Sequence, residues 1–170
     1  MVREKNLLCD YPSALEAAET AAGLYLGLGS RSLAAQCKVI AGEVLRLLGN
    51  YNHAQKLLEE AREMHTDLEE DNNEAEARYQ LAMAMQMAGN FPGAMEHLTA
   101  ARFTFNSLGD TYSAATCTSS LGMIHVILGE VVAGIAELEG SRSKFISIGH
   151  QVRIAEAALF LGSAELIICN

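Results

Sequence analysis

Gly49-Asn50-Tyr51-Asn52-His53-Ala54-Gln55-Lys56-Leu57-Leu58 returns 40 residues later as Gly89-Asn90-Phe91-Pro92-Gly93-Ala94-Met95-Glu96-His97-Leu98. It returns again as Gly129-Glu130-Val131-Val132-Ala133-Gly134-Ile135-Ala136-Glu137-Leu138. Each copy keeps a Gly, an apolar residue two positions on, a small residue three further and a Leu four beyond that. One period earlier, Cys9-Asp10-Tyr11 keeps the aromatic, with Ala14 and Ala18 in the later places. A second marker runs in phase: Leu28-Gly29, Leu108-Gly109 and Ile148-Gly149 share a position, from which Leu68-Glu69 departs. A third is Gly42, Ala82, Gly122 and Gly162, preceded by Ala41, Leu81, Leu121 and Leu161. Self-similarity at such a period is the mark of a stacked array, in which each unit buries its apolar face only against its neighbours.

Each period reads as two helices. The Gly at 49, 89 and 129 follows an apolar, Ala-rich run, where a helix end takes a residue at ease with positive φ. The Gly at 29, 109 and 149 closes the other helix in the same way. The segments between these stops are about 17 residues, or about 26 Å of helix. First helices are predicted at 32–48, 72–88, 112–128 and 151–168, and second helices at 11–28, 51–68, 91–108 and 131–148. Pro12 and Pro92 sit at helix starts, where the missing N–H costs nothing. The fold class is therefore all-α, a solenoid of about eight helices in antiparallel pairs, with residues 1–170 as a single array whose turns fall near 9–11, 49–51, 89–91 and 129–131. Val2 to Leu8 matches 42 to 48, and Asn170 is the last position before a second helix would start. That register predicts a part of a longer array.

Half of the chain is hydrophobic, 6% is aromatic, and there is no Trp. Ala, Leu, Met and Glu, all strong helix formers, carry the composition. The small-residue positions let neighbouring backbones approach, and Leu58, Leu98, Leu81 and Leu121 fill the gaps between them. The net charge is −9, and the stretch from Glu59 to Glu76 holds nine acids against one base, Arg62. The simplest reading of that stretch is a solvated helix end and turn. No basic face is present to meet phosphates, so neither nucleic acid nor an anionic membrane is expected as partner. No secretory signal is visible, and no run of about 20 uninterrupted apolar residues is long enough to span a bilayer. A cytoplasmic protein is expected.

The pattern resembles the tetratricopeptide repeat, on Gly42…Gly49-Asn50-Tyr51…Ala54…Leu58…Ala61 closely and on Gly122…Gly129…Leu138 more loosely. The family's Trp and second-helix Pro are absent, and the period is 40 instead of 34. Long versions that close the second helix with Leu-Gly-Asp, as in Leu108-Gly109-Asp110, are similar to those of polarity adaptors and of sensor arrays in signal-transduction ATPases. HEAT and armadillo repeats share the length but lack this turn. The resemblance implies a non-catalytic scaffold or sensor module that binds protein or peptide along the concave face of its first helices. A structural or oligomerisation array within a multidomain enzyme or signalling ATPase is the alternative. The groove positions it implies are Gln36, Val39, Glu43 and Arg46; Glu76, Tyr79, Met83 and Gln86; and Thr116, Ser119, Met123 and Val126. That mixture suits a segment with apolar anchors and Lys/Arg flanks, with Glu43 and Glu76 meeting the bases. The Lys and Asn of the carboxylate-clamp members are replaced by Val39, Tyr79 and Ser119, which argues against that kind of ligand.

No catalytic or cofactor constellation is legible. Cys37 and Cys117 are two periods apart inside first helices, and Cys9 and Cys169 are four periods apart at turns, so all four thiols are expected to be free. His53, His65, His97, His125 and His150 lack metal-ligand spacing. Gly27-Leu28-Gly29 has neither a preceding strand nor a Walker Lys, so it reads as a helix stop. Neither metal nor cofactor is expected. The last helix is apolar almost all round. Ile154, Ala158, Phe160, Leu161, Ile167 and Ile168 are the candidate residues for self-association as a homodimer, because a helix of that kind is normally covered on several sides.

Overall fold

The computed structural model describes residues 10–168. Over them the chain forms α1 (Tyr11–Gly27), α2 (Arg31–Leu47), α3 (Tyr51–Asp67), α4 (Asp71–Met87), α5 (Phe91–Ser107), α6 (Thr111–Ile127), α7 (Val131–Ser147) and α8 (Gln151–Ile168), with no strand among the described residues. The seven helices α1 to α7 each hold 17 residues. The predicted elements thus stand to within a residue or two at each end. The partial helix expected at Val2–Leu8, Cys9 and Cys169 lie outside the described residues.

The turns repeat one device. Asp10, Asn90 and Asp110 each accept the backbone N–H three residues on, at 3.0–3.1 Å, which satisfies one of the donors a helix start leaves open. At the other end of α1 to α7 the residue after the C-cap adopts positive φ, and the next N–H reaches back into the last turn, as Asn50 N–H does to the Leu45 carbonyl at 2.9 Å. Gly fills that position at 29, 49, 89, 109, 129 and 149. The exception is Glu69, at φ 56, where a Cβ crowds the neighbouring carbonyl.

Every helix packs mainly on its sequence neighbours, and α1 does not meet α8. The small residues set the spacing within pairs. A Cβ on Gly42 would stand 2.5 Å from Leu58 Cγ, so the α3 leucine occupies the place a side chain would take. Between α6 and α7 the backbones themselves approach: a Cβ on Gly134 would lie 2.8 Å from the Gly122 carbonyl oxygen. Large residues then close the core, with Leu98 and Phe105 of α5 set among Ala114, Cys117, Leu121 and Ile124 of α6. Leu45, Ala54, Leu58, Leu81 and Ala84 do the same one unit earlier.

The acidic stretch does more than solvate a turn. Arg31 and Lys38 of α2 pair with Asp67 (3.0 Å) and Glu60 of α3, and Ser32 donates to Glu70 at 3.0 Å. Arg62 bonds Glu59 at 2.6 Å and lies 3.7 Å from Glu74 of α4, which also binds Arg78. His65, buried at 1% exposure, meets Glu70 at 2.6 Å. These charges join α2, α3 and α4, a role that their clustering in sequence does not reveal.

Candidate binding face

Among the first helices of the pairs (α2, α4, α6, α8), α2 approaches α4 and α6 approaches α8, whereas the odd-numbered helices make no comparable backbone approach among the described residues, although the Arg102–Glu137 ion pair links α5 to α7. The even-numbered helices therefore share one side of the array, the side on which the groove residues are expected.

On α2, Gln36 is exposed and Val39, Glu43 and Arg46 are half-buried, with Arg46 3.9 Å from Glu43. Gln36, Val39 and Ile40 line a shallow recess with His65, Asn73 and Glu76, which brings α2 and α4 to one surface. On α4, Glu76, Tyr79, Met83 and Gln86 are all half-buried. Tyr79 and Met83 lean on the central core, and burial pushes the Tyr79 phenol up from its ordinary pKa. On α6, Thr116 lies deepest, at 7% exposure, with its hydroxyl donating to the Tyr112 carbonyl at 3.0 Å. Ser119, Met123 and Val126 are half-buried beside it.

Two hollows divide this face. The first, of about 200 Å³, is lined by Glu76, Tyr79, Gln80, Phe105, Tyr112, Ser113, Thr116 and Arg153. Gln80 donates to Glu76 at 2.9 Å, and its own carbonyl oxygen is buried without a hydrogen-bond partner. On the opposite wall Arg153 of α8 lies over the Tyr112 ring, 5.8 Å from its centroid, and donates to the Tyr112 hydroxyl at 3.2 Å. Tyr112 is held in turn against His150 and Phe145, at centroid distances of 5.1 and 6.0 Å. The second hollow, of about 110 Å³, is wholly apolar but for Ser163, and is lined by Met123, Val126, Ile127, Leu138 and Phe160 as well.

The structure thus brings Glu76, Tyr79 and Thr116 to one hollow, and Met123 and Val126 to the other. Glu43 and Arg46 stand apart from both, toward the α2 end. The sequence reading missed Gln80, Tyr112 and Arg153. Arg153 reaches back to the Tyr112 ring, which lies within its reach on the neighbouring first helix. A cation in the first turn of a first helix, 41 residues past an aromatic in the first turn of the preceding one, was the available signal.

Among the described residues no three His, Cys, Asp or Glu side chains are grouped to hold a metal, and no helix is long and apolar enough to cross a membrane. Cys37 and Cys117 are free, and burial pushes the Cys117 thiol up to about 12.

A tetratricopeptide repeat family model matches residues 34–102. No curated protein matches the chain. Among solved structures, a Rap protein complexed with competence and sporulation factor superposes with a TM-score of 0.83 at 19% identity, over 91% of this chain and 44% of that one. BtubC (BKLC) from P. vanneervenii superposes at 0.78 with 16% identity, over 91% of this chain and 65% of that one. The chain spans less than half of the first of these proteins and under two thirds of the second. At such identities the likeness is one of fold. Residues 34–102 carry the family's pattern, and the helical architecture of the described residues is that of a tetratricopeptide-like solenoid.

Proposed function

We propose that the chain is a non-catalytic, cytoplasmic protein-interaction module that clasps a peptide or an extended segment of a partner along the inner face of α2, α4, α6 and α8. The observation that carries this reading is the hollow between α4, α6 and α8. There Glu76 and the unpartnered Gln80 oxygen supply acceptors, Tyr79 and Tyr112 supply ring faces, and Arg153 supplies a cation. Convergent polar groups in an otherwise adaptable, Met-bearing surface are what a binding groove needs. The Rap protein, similar in fold, is seen complexed with competence and sporulation factor, which supports a binding use here.

The acceptors of that hollow suit a Lys or Arg side chain of the ligand. The second hollow suits an apolar anchor beside Met123 and Val126. Screening a library of short peptides by fluorescence polarisation should select sequences with one basic and one or more apolar residues. Their affinity should fall as salt rises, because the charged part of the site is open to solvent. Glu76→Lys should remove the preference for a basic residue, and Met83→Glu with Met123→Glu should abolish binding. Selected peptides that bind the double variant unchanged would place the site elsewhere.

A further inference from the structure

α8 buries Ala157, Leu161 and Ala164. Of the residues expected at a self-association face, Leu161 is thus buried, Ile154 and Phe160 are half-buried, and Ala158 and Ile167 are exposed. The start of the same helix bears on the hollow between α4, α6 and α8. Positions 30, 70, 110 and 150 stand at one place in the repeat, immediately before a first helix, and hold Ser30, Glu70, Asp110 and His150. Ser30 and Glu70 make no side-chain cap, whereas the Asp110 carboxylate accepts the Ser113 N–H at 3.0 Å. His150 makes the same bond with its ring. Its Nδ1 accepts the Arg153 N–H at 3.3 Å, while its carbonyl accepts the Ile154 N–H at 3.1 Å.

The ring is fixed on two further sides. Its centroid lies 5.1 Å from that of Tyr112 on α6 and 6.4 Å from that of Phe145 on α7. The residue whose backbone it caps is also the one whose side chain forms the α8 wall of the hollow. Arg153 donates through Nε to the Tyr112 hydroxyl at 3.2 Å and through Nη1 to Glu156 at 3.0 Å. One imidazole therefore touches both partners of the Arg153–Tyr112 contact, one with its lone pair and the other with its face. The titratable and charged groups around it are Tyr112 of α6 and, on α8 itself, Arg153 with its partner Glu156; α7 meets it with the uncharged Phe145. His65 and His125 are placed differently, each with Nδ1 against a carboxylate, Glu70 or Glu130.

We propose that His150 is a positioning residue for the hollow, holding Arg153 over Tyr112 while its ring is neutral and releasing that wall when it takes a proton. A neutral imidazole has one acceptor nitrogen and an imidazolium has none, so protonation sets a ring N–H against the N–H of Arg153. It also brings a positive charge to the positive end of a helix and beside a guanidinium, and both are repulsive. Imidazole is the side chain that changes charge in mildly acid solution. The consequence for binding rests on the reading of the hollow given above: a peptide held there is bound more tightly at pH 7.5 than at pH 5.5.

The test reads Arg153 directly, by NMR of the full chain at those two pH values. In the wild type the protection factor of the Arg153 amide, corrected for intrinsic exchange, should fall at least tenfold at pH 5.5. The Arg153 Nε chemical shift should move with it, as the bond to Tyr112 is lost. His150→Asn keeps a capping oxygen that mild acid does not protonate, so its Arg153 amide should be equally protected at both values. His150→Ala should be poorly protected at both, with an unchanged helical circular-dichroism signal. Peptides selected against the wild type at pH 7.5 should lose at least fivefold in affinity at pH 5.5, and His150→Asn should remove that loss. Arg153 signals indifferent to pH in the wild type, or just as sensitive in His150→Asn, would overturn the inference. So would a peptide whose pH dependence is the same in both proteins. A library that yields no peptide, with the Arg153 signals as expected, would overturn the binding reading alone and uphold the positioning role.

Discussion

The joint at α2–α3–α4 and the joint at α6–α7 are built on the same repeat, with the same helix length and turn, yet different forces hold them. The first is tied by charge: Arg31, Lys38, Arg62 and Arg78 reach Asp67, Glu60, Glu59 and Glu74, and Glu70 gathers Ser32, His65 and Asn73. The second rests on backbone against backbone at Gly122 and Gly134, with fewer polar ties: Arg102 pairs with Glu137 at 3.1 Å, and His125 meets Glu130 at the turn at 2.5 Å. The backbone geometry is what the repeat conserves. The side chains that enforce it are free to differ from one unit to the next, provided the small residues stay where helices touch.

Substitution at the glycine joint should have the largest effect. A methyl at Gly134 would stand 2.5 Å from Val126 Cγ2, 2.8 Å from the Gly122 oxygen and 3.0 Å from Val126 N, and the last two atoms are backbone that cannot rotate away. Gly134→Ala should therefore cost about 2–3 kcal/mol in urea unfolding, the range expected of overpacking. Gly42→Ala meets only the flexible Leu58 side chain, and its strain is partly offset by about 1 kcal/mol of helix propensity, so it should cost less. Equal losses at the two positions would dissolve the distinction between the joints.

Charge at the other joint comes next. Arg62, with a side chain 18% exposed, stands among Glu59, Glu63 and Glu74. Arg62→Ala should cost about 1–2 kcal/mol, more than the value near 1 or below usual for an exposed pair, because Glu74 is itself largely covered. Arg102→Ala should stay at or below about 1 kcal/mol. If 0.5 M salt shrinks both losses alike, the network is no more sheltered than the lone pair.

A smaller effect, of opposite sign, is expected at Glu69. Gly here would relieve the left-handed strain that the six other turns avoid, at the expense of a looser unfolded chain. Glu69→Gly should gain roughly 0.5–1 kcal/mol. A thermal midpoint lower than that of the wild type would mean the Glu69 side chain contributes more than its backbone strain removes.

The smallest effect concerns acid. A hydrogen bond from Arg62 holds Glu59, and hydrogen bonds from Ser32 and His65 hold Glu70, below the ordinary glutamate value of 4.5. A carboxylate lowered in the fold contributes stability above its unfolded pKa and loses it as pH falls through the folded one. Between pH 4.5 and more acid values, hydrogen exchange should therefore quicken in α2–α4 before α6–α7. Simultaneous loss of protection in both regions would show that the charged joint is not the acid-labile one.

Much of this was legible in the chain. Glycine punctuation at 49, 89 and 129, and at 29, 109 and 149, placed the helices, because positive φ at a helix stop is a local demand that one residue type meets. Helical phase put Glu76, Tyr79, Met83, Thr116, Ser119, Met123 and Val126 on the even-numbered helices, where Glu76, Tyr79 and Thr116 line one hollow and Met123 and Val126 another; that they form a binding face is the proposal made above. Pairings between residues about 20 to 40 positions apart were not legible. Nothing local in Arg153 tells that Tyr112 will lie under it, and nothing in Glu60 or Asp67 names Lys38 or Arg31. Long side chains choose partners by reach across two helices, and that information exists only once the helices are stacked. The exposed side of α8 was half legible: its apolarity could be read, but its direction depended on which flank α7 takes.

Because each helix leans almost wholly on its two sequence neighbours, the array behaves mechanically as a row of short rods joined by soft hinges. A rotation too small to break any single packing contact is summed along the row. The width of the inner channel is therefore a collective coordinate, closer to the pitch of a spring than to the shape of a lock. A guest lying across four first helices would be felt at both extremities as a change in curvature, and a load applied at either extremity would tighten or slacken the grip at the middle.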